Sequence, residues 1–140
     1  MIIVPERAIP DLLTRDASYR AVENVFAAMA SGDAYSFPVI REAIGHEDAL
    51  YGFKGGFDRV GGSLGLKAGG YWPHNLDKRG IINHQSTVFL FDPDTGMVRA
   101  MVGGNYSTAL RTAAASSVSI NHLARKDARV MGMVGAGHQA

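Results

Sequence analysis

Nine of the 17 glycines fall between Gly52 and Gly80, inside segments that otherwise alternate like β-strands. A glycine inside a strand costs entropy and offers no side chain to pack, so such strands survive only as part of a larger sheet. They also mark places where a ligand or a second backbone comes close. Over residues 61–72, period-two alternation puts Leu64, Leu66 and Ala68 on one face and Gly65, Lys67 and Gly69 on the other. Lys67 is thus a lone cation on a face otherwise made of glycine. Lys54, between Gly52 and Gly56, competes with it. A solvated lysine on an edge strand is the plain alternative for either.

The rest of the chain fills in around that sheet. Residues 2–4 read as a short strand, and Pro10 suits the first turn of a helical piece over 10–13. Asp16 is placed to cap a longer helix whose apolar residues Tyr19, Val22, Phe26 and Met29 keep helical spacing, with Gly32 ending it. Strand character follows at 37–41, 50–57, 63–72, 86–91 and 97–102. Asp92-Pro-Asp-Thr-Gly96 is a turn signal that joins the last two as an antiparallel hairpin. These segments predict a mixed or antiparallel sheet, not a βαβ array.

After Gly103-Gly104 the period changes. Ser107 is placed to cap a helix running to about Leu123, and residues 129–134 read as a buried strand. That strand leads into Gly135-Ala-Gly-His-Gln-Ala140, which fits the dinucleotide fingerprint G-x-G-x-x-G/A. Its first glycine allows a tight turn, and its second lets backbone N–H groups reach a pyrophosphate. An ordinary glycine-rich turn is the alternative. Arg111, beside Thr108 and Thr112 near the start of the predicted helix, suits a phosphate or carboxylate clamp, or equally a structural salt bridge.

Composition narrows the function classes. There is no Cys, which removes disulfides, thiolate zinc sites and Cys nucleophiles. The five His show no compact metal spacing, so no metal is expected, and His46-Glu47-Asp48 reads as a charged loop. No apolar run approaches the roughly 18 residues of a membrane span, and no secretory signal is evident. A cytoplasmic protein with no membrane or nucleic-acid partner is expected. The charge is uneven: five Lys/Arg against nine Asp/Glu up to residue 58, then nine against four. A basic second part with a near-neutral total favours small anions over nucleic acid.

Several motifs then occur in order: Lys67 with Pro73-His-Asn75, residues 87–96, Thr108-Ala-Leu-Arg-Thr-Ala-Ala-Ala-Ser116 and Gly135-Ala-Gly-His-Gln139. Together they resemble the ornithine cyclodeaminase/μ-crystallin family. The resemblance implies an α/β chain. A mixed-sheet substrate-binding and dimerisation domain (1–106) would be followed by the first helix, strand and Gly-rich turn (107–140) of a Rossmann domain, the chain looking truncated inside it. Carried over by position, Arg41 and Lys67 would hold substrate carboxylates, with Lys67 also catalytic. Thr87, Arg111, Gly135, Gly137, His138 and Gln139 would contact NAD. The family's catalytic Asp would lie beyond Ala140, so the 140 residues alone are expected to be inactive.

Residues 51–58, 65–73 and 82–87 most resemble the branch of the family that reduces iminosuccinate to L-aspartate with NADH, NADPH being left open. A homodimer through the N-terminal domain is implied. The alternatives are a cyclodeaminase-type lyase using NAD catalytically and a non-catalytic dinucleotide binder of the μ-crystallin type.

Overall fold

A computed structural model describes residues 1–137 and 139. Its centre is a seven-stranded sheet made of β1 (Ile2–Val4), β2 (Ala34–Ser36), β3 (Ile40–Ala43), β4 (Leu50–Asp58), β5 (Ser63–Tyr71), β6 (His84–Phe91) and β7 (Val98–Gly103). The spatial order is β1-β7-β6-β5-β4-β2, with β3 also pairing with β4. Only β1 on β7 is parallel; the other pairings are antiparallel, so the sheet is mixed as expected.

The predicted strand at 37–41 is replaced by two short strands, β2 and β3, on the same edge of β4. Pro38 lies between them, and a proline lacks the N–H a ladder needs. The hairpin between β6 and β7 forms as expected: Asp92 Oδ1 accepts from the Asp94 and Thr95 N–H groups, and Gly96 takes φ 71°.

Four helices accompany the sheet: α1 (Ile9–Leu12), α2 (Arg15–Ser31), α3 (Asn75–Arg79) and α4 (Asn105–Leu123). Thr14, not Asp16, caps α2, its hydroxyl accepting from Ala17 N at 3.1 Å. Asp16 instead pairs with Arg20 at 2.8 Å. Gly32 ends the helix at φ 82°, the left-handed conformation a C-cap glycine supplies.

The start of α4 also differs from expectation. The helix begins at Asn105, two residues before Ser107, and its cap comes from Glu6. The two carboxylate oxygens of Glu6 accept from Asn105 N (3.0 Å) and Tyr106 N (2.7 Å). A carboxylate there satisfies two orphan donors and favours the helix dipole. Asn105 Oδ1 in turn accepts from Ser86 N at 2.8 Å, fastening α4 to β6.

α2 and α4 pack on each other through Tyr19, Glu23, Asn121 and His122. α4 enters over the sheet face that carries Lys67. The opposite face carries Tyr51, Phe53, Phe57, Leu66 and Phe89, with Phe53 44% exposed.

The predicted buried strand at 129–134 is not formed. Those residues take no regular structure, and Val130, Met131, Met133 and Val134 are exposed. A buried strand needs ladder partners and cover on both faces, and no strand among the described residues pairs with this segment.

Candidate functional site

The register across β4, β5 and β6 builds the site row by row. Lys54 lies directly opposite Lys67, and both project from the α4 side of the sheet. The flanking rows on that face are Gly52 opposite Gly69 and Gly56 opposite Gly65. A Cβ added at Gly69 would meet Gln85 O and Ser86 Cβ at 2.5 Å, and one at Gly52 would strike the backbone of Ile40 and Arg41. Glycine is therefore required by the close approach of neighbouring strands, and it leaves a bare floor around the lysine pair.

Arg41 of β3, opposite Gly52, projects over one side of this floor, and Arg111 of α4 over the other. Arg41, Lys54, Lys67 and Arg111 line one cleft of about 200 Å³, together with His84, Thr108 and Gln139. No Asp or Glu is among its described lining residues. Four cations in one concavity without a carboxylate raise the local concentration of any small anion.

Lys67 is half-buried, and its environment is specific. Its Nζ donates to Thr108 Oγ1 at 3.1 Å and lies 3.5 Å from His84 Nε2. Thr108 is buried, and its own hydroxyl proton is committed to Gly104 O at 2.6 Å. A hydroxyl has one proton, so toward Lys67 this oxygen can only accept. Burial first, then the positive charges of Arg111 and Lys54, lower the Lys67 pKa to about 8.

The site residues expected from sequence divide into four groups. Arg41, Lys67, Arg111 and Gln139 come together in the cleft. Arg111 stands in the second turn of α4, because the helix starts earlier than expected. Gly135 and Gly137, again with Gln139, line an adjoining cavity of about 510 Å³ that shares Tyr71, His84 and Thr108 with the first. The Gly-rich segment thus lies beside the lysine cleft. His138 lies outside the described residues.

Thr87 is not brought in. It sits opposite Ala68, so its side chain is on the far face of the sheet from Lys67. Thr87, expected as an NAD contact, therefore does not face the lysine cleft.

Two lining residues were not singled out from sequence. His84 is inside the Asn-His-Gln motif, but the one-residue step that puts it on the Lys67 face only becomes visible with the register. Thr108 was seen as a neighbour of Arg111, whereas its structural role is to hold Lys67. Glu47, weighed in a charged loop, takes Arg79 at 2.9 Å and Lys78 at 3.2 Å, and these two cations lower its pKa.

Comparison with known proteins agrees with this geometry. The model of the ornithine cyclodeaminase/mu-crystallin family matches residues 6–140. The chain belongs to that family. A curated relative in it, the iminosuccinate reductase of Paracoccus denitrificans (strain Pd 1222), is 67% identical over 140 residues, all of this chain and 43% of the relative. The crystal structure of the Paracoccus denitrificans iminosuccinate reductase with NAD+ superposes with a TM-score of 0.93 at 68% identity, over 99% of this chain and 43% of that one. An archaeal alanine dehydrogenase dimer with bound NAD gives a TM-score of 0.91 at 29% identity, over 99% and 42%. The chain therefore spans less than half the length of these members of the ornithine cyclodeaminase/mu-crystallin family.

Proposed function

We propose that this chain forms the substrate side of an NAD-dependent imine reductase acting on a small anionic imino acid, with iminosuccinate reduced to L-aspartate. The observation that carries this reading is the cleft itself. Arg41, Lys54, Lys67 and Arg111 converge on a glycine floor beside the Gly-rich segment, and no acidic side chain is among the described lining residues. The similarity to the Paracoccus iminosuccinate reductase supports the choice of substrate.

The residues present fit a nicotinamide dinucleotide. Gly137 has open space where a Cβ would stand, Gly135 takes φ 98°, and Gln139 and Arg111 face the same region as Lys67. Gly135, Gly137 and Gln139 would border the pyrophosphate, Arg111 would offset its charge, and NADH would supply the hydride.

The chain's own side chains do the remaining work. Arg41 and Lys67 hold a carboxylate by charge-assisted hydrogen bonds, which fixes the imine carbon in one orientation. Lys67, with a pKa of about 8, is protonated at neutral pH and acidic enough to give a proton to the imine nitrogen. Thr108 keeps the ammonium in place by accepting from it. A carboxylate arriving beside Lys67 favours its charged form, which secures the substrate, while burial and the neighbouring cations keep the ammonium more acidic than an ordinary lysine.

Residues 1–106 would form the substrate and dimerisation unit, and 107–140 would open the dinucleotide-binding unit. The aromatic face opposite Lys67 would close against the same face of a second copy; the archaeal alanine dehydrogenase relative is itself a dimer. A cytoplasmic setting fits an NADH-consuming enzyme whose 140 residues here hold no Cys.

The test is NADH oxidation by the full-length protein carrying this chain, given oxaloacetate plus ammonium. Turnover that Lys67→Ala lowers by at least 10²-fold is expected. Net consumption of NADH separates this from a cyclodeaminase, which would turn over ornithine with none. Equal rates for Lys67→Ala and the parent protein would remove Lys67 from the chemistry.

A further inference from the structure

The direct pairing of Lys54 with Lys67 asks for an explanation, because like charges opposite one another destabilise an antiparallel pair. Both lysines line the cleft, and no carboxylate among its described lining residues offsets them. They are not equivalent. Lys67 is half-buried and held by Thr108 under α4, while Lys54 is exposed, one strand further from α4, at the mouth. Opposed residues on neighbouring strands have Cα atoms roughly 4.5–5.5 Å apart. Two long side chains rooted that close together on one face can each reach one carboxylate of a short dicarboxylic acid. The flanking glycines leave no side chain on the floor between them.

We infer that Lys54 is the residue that reads a second, distal carboxylate, so that the cleft selects dicarboxylic over monocarboxylic imino acids. Arg41 and Lys67 hold the reacting end, and Lys54 meets the far end at the mouth. The pairing is then tolerated because the ligand neutralises it. This inference rests on the reading of the cleft as an imino-acid site. It goes further by assigning to one side chain the choice between chemical classes of substrate. A substrate with one carboxylate leaves Lys54 with water as its partner, and an exposed ammonium loses little by that. Discrimination therefore comes from a gain with the dicarboxylate.

The probe is a pair of inert acids that differ by one carboxylate, succinate and propionate, titrated by calorimetry into the full-length protein at low salt and pH 7. Succinate is expected to bind at least tenfold tighter than propionate. Lys54→Met is expected to weaken succinate at least tenfold while propionate moves less than threefold. Lys54→Arg, which keeps the charge, is expected to bring succinate back to within threefold of the parent protein. If Lys54→Met weakens both acids equally, or neither, the assignment of Lys54 is wrong while the carboxylate site stands. If the parent protein binds neither acid, the imino-acid site fails and takes the inference with it.

Discussion

At the scale of single residues, the central group is Lys67. Its pKa of about 8 means that the free site binds a proton less tightly than an ordinary lysine. For the free enzyme, kcat/KM should therefore be level below pH 7 and fall as pH rises through about 8, since the deprotonated form neither attracts the carboxylate nor donates a proton. The same shift has a sign for stability. The folded state holds fewer protons than the unfolded one between about pH 8 and 10.5, so this group's contribution to stability rises with pH across that window.

Thr108 adds a sharper test. Removing its hydroxyl takes away an acceptor that favours the charged amine, so Thr108→Val should move the alkaline limb of the kcat/KM profile to lower pH. The loss of its bond to Gly104 should also cost roughly 1 kcal/mol of stability by denaturant titration. An unmoved limb would mean that Thr108 has only a structural role.

Legibility in the sequence differed among these residues. Lys67 could be found because a lone cation among alternating glycines is visible at period two. The face on which Thr87 lies could not be read, because parity along one strand is known only once that strand's register with its neighbour is set. His84 was missed for the same reason.

At the scale of elements, the site depends on where α4 begins. Its N-terminus is held by Glu6, roughly a hundred residues earlier in the chain, and by Asn105 bonded to Ser86 of β6. These contacts fix the azimuth at which Thr108 and Arg111 face the sheet. Glu6→Ala should destabilise the protein by about 1–2 kcal/mol in chemical denaturation, as loss of a helix cap does. Because the cap also aims Arg111, it should raise KM more than it lowers kcat. A KM unchanged alongside lost stability would separate the cap from the site.

The strands and α2 were readable from local pattern because alternation and helical spacing are short-range signals. Both helix caps were misassigned for different reasons. Thr14 and Asp16 compete within one turn, and only backbone geometry chooses between them. Glu6 is invisible to local reading because its partners are distant in sequence. The strand expected at 129–134 has the right composition, yet composition cannot supply the neighbouring strands that would pair with it.

At the scale of the whole molecule, the buried apolar residues are mostly small: Ala34, Ala49, Ala68, Ala100 and Ala114, with Ile9 and Val118. No large side chain among the described residues is fully buried, while Tyr35, Phe37 and Phe53 are each 38% exposed or more. A sheet with one face under helices and aromatic side chains on the other offers a contiguous apolar surface of the kind that proteins cover with a partner. On the dimer proposed above, Phe53→Glu on this face should abolish self-association in sedimentation velocity while leaving the circular dichroism intact. An unchanged sedimentation coefficient would place the interface elsewhere.

The charge imbalance seen along the sequence takes on a location at this scale. Cations from both halves of the chain, Arg41 and Lys54 with Lys67 and Arg111, meet over one glycine floor. The most direct test of that convergence is NADH oxidation by the full-length protein with oxaloacetate plus ammonium, measured beside its Lys67→Ala variant. Robust turnover by the full-length protein, at least 10²-fold lower in Lys67→Ala, is the predicted result. Full activity in Lys67→Ala, or no turnover of this substrate by the full-length protein, would contradict it.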